Sequence, residues 1–133
     1  MVILDFFKNA LNLKNISRQG WIDKLSIEHP ESVADHSYSM AIMGMVISDL
    51  ENYDSEKMLK MILLHDLAES KIGDYTPNQI SKENKIKIEN NAYDEIISTL
   101  PNTIKLQYGK IWDEYQKQES PESTIVHQID KLE

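Results

Sequence analysis

Met58-Leu59-Lys60-Met61-Ile62-Leu63-Leu64-His65-Asp66-Leu67-Ala68-Glu69, residues 58 to 69, reads as the most apolar helix of the chain and carries an imidazole and two carboxylates at its end. The helix is expected to be capped by Ser55 and to run to about Glu69, with Gly73 and Pro77 ending the regular pattern. Its apolar residues nearly encircle it, which marks a central, buried element. Two polar side chains at its end, His65 and Asp66, would be costly to bury without partners.

Working outward, Val2 to Leu13 places Val2, Ile3, Phe6, Phe7, Ala10, Leu11 and Leu13 at helical spacing, Asn12, Asn15 and Ser17 suggest a break, and Arg18 to Glu28 reads as an irregular connector. Ser32 with Asp35 forms a capping-box-like start to a helix continued by Met40, Ala41, Met43, Met45, Val46 and Leu50. Ser81 opens an amphipathic stretch with Ile86, Ile88, Ala92, Ile96, Ile97 and Leu100, expected on the outside. Thr103 to Lys117 follows Pro101 and Asn102, and its Tyr108, Trp112 and Tyr115 share one helical stripe. Ser120 as cap and Pro121 at the first helical position begin a last helix through Ile125, Val126, Ile129 and Leu132. That helix meets no stop signal before Glu133, so it is expected to be cut short. Alternating apolar and polar runs long enough for a strand are missing, and the fold class read from this pattern is all-α, a bundle of about six helices.

A length of 133 residues fits one domain, 1–133, with a core large enough to need no staples. The chain has no cysteine, which removes disulfides, thiolate metal sites and cysteine nucleophiles and suits a reducing cytoplasm. The start of the chain is apolar but broken by Asp5 and Lys8, unlike a signal peptide, and no run is long enough to span a membrane. With 22 acidic against 14 basic residues the net charge is -8, which argues against a nucleic-acid polymer as partner. An anionic small molecule would need a local device, either a bound cation or a placed arginine.

Such a device can be assembled from the residues. Neutral imidazole nitrogen and carboxylate oxygen are ligands that divalent transition metals accept, so a cation would account for His65 and Asp66. His36 is a third candidate, because the first turn of a helix disfavours imidazolium and keeps the ring neutral. Asp130 is the fourth, next to Ile129 and one turn from Val126 on the inward face of the last helix. Glu69, four residues after His65, is expected on the same helical surface, and Asp74 follows Gly73 in the next loop. Taken singly, each has an ordinary reading, Glu69 as an exposed helix-end carboxylate and Asp74 as a turn residue. His29 is given no role, and His127, three residues before Asp130, reads as a partly exposed helix residue. The methionines Met40, Met43, Met45, Met58 and Met61 read as core filling.

A histidine near the start of one helix, a later His-Asp pair and a still later Asp resemble the HD-domain superfamily of metal-dependent phosphohydrolases. The stretches 31–37 (Glu31-Ser32-Val33-Ala34-Asp35-His36-Ser37) and 64–69, with Gly73-Asp74 and Arg18-Gln19-Gly20-Trp21, look like its 5'-deoxynucleotidase branch in the form found in eukaryotes and archaea. The resemblance implies an HD-domain helical bundle that hydrolyses deoxyribonucleoside 5'-monophosphates with a divalent cation, cobalt, manganese or magnesium. It implies metal ligands at His36, His65, Asp66 and Asp130, catalytic carboxylates at Glu69 and Asp74, a phosphate-binding Arg18 and a sugar-packing Trp21. Thr76 is a weaker substrate contact, since a turn hydroxyl can equally bond backbone. A homodimer in the cytoplasm, acting on a small nucleotide, completes the expectation, and such pairing makes Tyr108, Trp112 and Tyr115 core or subunit-interface candidates. The rivals are the same site acting on a cyclic nucleotide, a nucleoside triphosphate or an alarmone, and a helical binding module that keeps an ion without turnover.

Overall fold

The computed structural model describes residues 3–18, 31–72 and 81–132. Among these, six helices have ten residues or more, and the nearest thing to a strand is an isolated bridge between Ser17 and Ser32. The elements are α1 (Ile3–Asn12), a 3-10 turn (Leu13–Asn15), α2 (Val33–Glu51), α3 (Ser55–His65), α4 (Glu69–Ile72), α5 (Lys82–Ile97), α6 (Asn102–Lys117) and α7 (Pro121–Leu132). The all-α expectation holds.

The chain divides into two compact units, Met1–Asp35 with Leu67–Leu100 and His36–Asp66 with Pro101–Glu133. In the first, α1, α4 and α5 pack on one another around Leu13, Ala92, Tyr93, Ile96 and Ile97. Val33 N–H donates to the Ile16 carbonyl at 2.7 Å and Arg18 N–H to the Glu31 carbonyl at 3.0 Å, which seats the segment leading into α2. The capping box forms as read: Asp35 N–H donates to Ser32 Oγ and Ser32 N–H to Asp35 Oδ2, both at 3.0 Å. Four orphan donors at a helix start are thereby partly satisfied, and the register of α2 is set one residue before His36.

In the second unit α3 packs against α6 and α7, which also pack on each other. Met58, Met61 and Ile62 of α3 are fully buried with Met40, Trp112, Val126 and Ile129. Each such side chain contributes about 1.5–3 kcal/mol by leaving water. A Cβ on Gly44 would run into the Ile62 Cδ1, so glycine is what lets α2 approach α3 here. The α2–α3 connection turns on Asn52, whose left-handed φ of 59° ends one helix, and Asp54, whose side chain caps the next by accepting from Lys57 N–H at 3.1 Å. Asp54, rather than Ser55, is therefore the cap; Ser55 Oγ is engaged instead with Ser48 Oγ at 2.8 Å. Gln118, with φ of 51°, closes α6. Ser120 then caps α7 as read, in a reciprocal pair with Ser123 whose two bonds are each 3.1 Å.

The first helix stops at Asn12, where the break was expected, and tightens into a 3-10 turn as the stretch around Asn12 and Asn15 bonds locally. Two other expectations need correction. Met45 is exposed, on an outward face of α2 shared with Tyr38, Ile42, Val46 and Leu50, while Met40, Met58 and Met61 do fill the core. The central helix ends at His65 and not near Glu69, for a reason that belongs to the site.

Candidate metal centre

Four side chains of the second unit converge. His36, His65, Asp66 and Asp130 each offer one ligand atom, and these atoms lie within 4.8 Å of one another. His36 comes from the first turns of α2, His65 from the last turn of α3, Asp66 from the residue capping α3, and Asp130 from the end of α7. Both imidazoles are buried; Asp66 and Asp130 keep partial access to solvent. His36 Nε2 stands 2.7 Å from Asp130 Oδ1 and 3.7 Å from Asp66 Oδ2, and His65 Nε2 stands 3.0 Å from Asp66 Oδ2 and 3.7 Å from Asp130 Oδ1.

The end of α3 is what makes this possible. Adjacent residues in a continuing helix diverge by about 100° around its axis. Asp66 leaves the helix, with φ -107° and ψ 9° in the sparsely populated bridge region, and its carboxylate swings beside the imidazole of its own neighbour. Glu69 consequently opens a separate short helix, α4, so the expected single surface carrying His65, Asp66 and Glu69 does not exist.

The chemistry of the cluster asks for a positive charge. His65 Nδ1 bonds the Ile62 carbonyl at 2.5 Å, which assigns its proton to that nitrogen in the neutral ring. Nε2 is then a buried lone pair between two carboxylates, with no regular hydrogen-bond partner. Lone pair against anion is repulsive, so either a proton or a cation must stand between them. Ligand atoms about 2.1 Å from one centre are about 3.0 Å apart at right angles and about 3.4 Å apart at tetrahedral angles. The four observed separations, from 2.7 to 3.7 Å, bracket both. The donor set fits a divalent cation.

Without a cation, protons take its place. Burial pushes the His65 imidazolium down, but the charge of Asp66 and the bonds and charge of Asp130 outweigh it and hold the group well above 6.5. Burial pushes the Asp130 carboxyl up, and its bonds to His36 and His65 more than reverse this, leaving it far below the usual 3.8. The raised His65 stabilises the fold fully below about pH 6.5, a contribution lost as pH climbs through its raised value; the lowered Asp130 contributes fully above about 3.8 and loses it on acidification. Protein stripped by chelator is therefore expected to melt highest between these limits and at lower temperature toward pH 9. Added divalent cation should remove the alkaline decline, since deprotonated ligands bind it best. Melting curves across pH with and without cation check this; a chelated protein that gains stability from pH 6 to 9 would refute it.

The remaining predicted residues are distributed as follows. Arg18 belongs to the first unit, where its Nη1 is 3.7 Å from Glu31 Oε2. Glu69 is in the same unit and buried, unlike the exposed helix-end carboxylate of its ordinary reading. Trp21, Asp74, Thr76 and His29 lie outside the described residues. His127 holds no place in the cluster: its Nε2 is 2.7 Å from the Tyr115 carbonyl and its ring stacks on that tyrosine at 4.0 Å. Tyr115 in turn meets His65 edge-on at 5.5 Å. Sequence reasoning assigned Tyr115 to a core or interface stripe; the available signal was the placement of His127 one turn before Asp130.

Comparison with known proteins places the chain in a family. The HD domain family matches residues 10–133. The 5'-deoxynucleotidase HDDC2 of Dictyostelium discoideum is 41% identical over 138 residues, covering 98% of this chain and 72% of its own length. The protein of the same name from Homo sapiens is 36% identical, and this chain spans 64% of it. The crystal structure of a Pyrococcus horikoshii protein superimposes with a TM-score of 0.84 at 31% identity, over 97% of this chain and 72% of that one. With a match across nearly the whole sequence, this chain belongs to the HD domain family.

Proposed function

We propose that the protein is a metal-dependent 5'-deoxynucleotidase that hydrolyses deoxyribonucleoside 5'-monophosphates to deoxynucleoside and phosphate. The observation that carries the reading is the buried His65 Nε2, turned on two carboxylates that only a positive charge can reconcile with it. The names of the relatives supply the reaction.

His36 and His65 serve as neutral ligands, and Asp66 and Asp130 as anionic ones. A divalent cation, cobalt, manganese or magnesium, would lower the pKa of a coordinated water and offset charge on the substrate phosphate. Glu69 orients the attacking water and accepts its proton, a role suited to a carboxylate that burial keeps out of bulk solvent. Arg18 grips phosphate oxygens with its planar fork. Trp21 packs against the sugar, Thr76 offers a hydroxyl to the substrate and Asp74 supplies a second carboxylate. Water adds to phosphorus, the bond to the 5' oxygen breaks, and the nucleoside departs with a proton.

Phosphate release from deoxynucleoside monophosphates in the presence of cobalt, manganese or magnesium tests the reading. Release from these and not from cyclic nucleotides, triphosphates or alarmones is expected; no release with any of the three metals rejects it. The proposal extends to a cytoplasmic homodimer, for which the exposed apolar face of α2, with Leu50 73% and Tyr38 69% exposed, offers a surface. Light scattering is expected to give twice the chain mass, and the monomer mass at micromolar concentration would refute the dimer.

A further inference from the structure

The rings behind His65 form a continuous stack. Tyr115 on α6 is buried and presents its ring to His65 at 5.5 Å and 66°, the edge-to-face arrangement favoured by aromatic quadrupoles. On its other side His127 lies parallel to it, at 4.0 Å and 5°. His127 Nε2–H donates to the Tyr115 carbonyl at 2.7 Å, tying the stack to the backbone of α6, and His127 sits one turn before Asp130 on α7. His65 itself is held at its other nitrogen by the Ile62 carbonyl. With Nδ1 on the Ile62 carbonyl and the Tyr115 ring against it, the imidazole turns Nε2 toward Asp66 and Asp130.

We infer that Tyr115 and His127 are positioning residues, a two-ring brace that fixes the His65 imidazole and thereby sets how tightly the centre holds its cation. The inference rests on the metal-centre reading above and deepens it. Groups that orient a ligating histidine typically change affinity by about 10–100-fold when removed, because the free ring must be reordered each time the cation binds. The brace is a contact of rings, so phenylalanine, which keeps the ring, is expected to retain it.

Divalent cobalt affinity, measured by competition titration on purified Tyr115→Leu, Tyr115→Phe and His127→Ala proteins, tests the brace, with melting curves to confirm folding. Tyr115→Leu and His127→Ala are expected to bind cobalt about 10–100-fold more weakly than the parent, and Tyr115→Phe within about threefold of it. A purely structural role would lower the melting temperature of the folded variants and leave their cobalt affinity unmoved, which would overturn the inference. Should Tyr115→Leu not fold, the half-buried His127→Ala decides alone: weaker binding supports the brace and unchanged binding overturns it. If the parent protein binds no cobalt at all, it is the metal centre that fails, an outcome distinct from failure of the brace.

Discussion

Asp66→Ala is expected to leave a folded helical protein that no longer retains a divalent cation and releases phosphate at background rate. Asp66, a proposed ligand, depends for its position on α3 ending at His65, and its Oδ2 approaches both imidazoles, at 3.0 and 3.7 Å. Removing it takes away one of two anionic ligands, and cation affinity should fall at least about 100-fold, more than the loss of a merely orienting neighbour would cost. Its side chain is partly exposed and joins no apolar core, so the fold itself has little to lose. Metal content by elemental analysis, read beside phosphate release, checks this; a variant with stoichiometric metal and full turnover would contradict it.

Glu69→Gln is expected to separate binding from chemistry. The amide keeps the shape of the side chain at its buried position and removes the ability to take a proton. Turnover should drop by about 10²–10⁴, the usual contribution of a positioned general base, with metal content unchanged. A binding module that keeps an ion without turnover would show no phosphate release to lose. Parental turnover in Glu69→Gln would remove this residue from the mechanism while leaving the centre intact.

Local rules carried far in this chain. The Ser32–Asp35 box and the Ser120–Pro121 start each rest on interactions between residues within a turn or two, and the structure has both; the apolar encirclement of α3 fails at Leu63, which is exposed. The inward positions of Asp130 and His36 were legible for the same reason, through their spacing from Val126 and Ile129 and from the start of α2. The break at Asp66 was not legible. No glycine, proline or asparagine interrupts residues 65–69, and Leu67, Ala68 and Glu69 are good helix formers. The helix ends there with the Asp66 carboxylate beside His65 and near His36, a long-range arrangement that local propensity does not encode. Asp54 displacing Ser55 as cap is a smaller instance: either residue can cap, and the pairing of Ser55 with Ser48 decided between them. The Tyr115–His127 stack joins two helices, so no single-helix periodicity displays it.

Anomalous diffraction at the metal absorption edge, on crystals of the protein grown with cobalt or manganese, tests the central claim most directly. The expected map has one strong peak about 2.0–2.3 Å from Nε2 of His36, Nε2 of His65 and a carboxylate oxygen each of Asp66 and Asp130. A peak bound elsewhere, or these four side chains ordered around no peak at all, would contradict it.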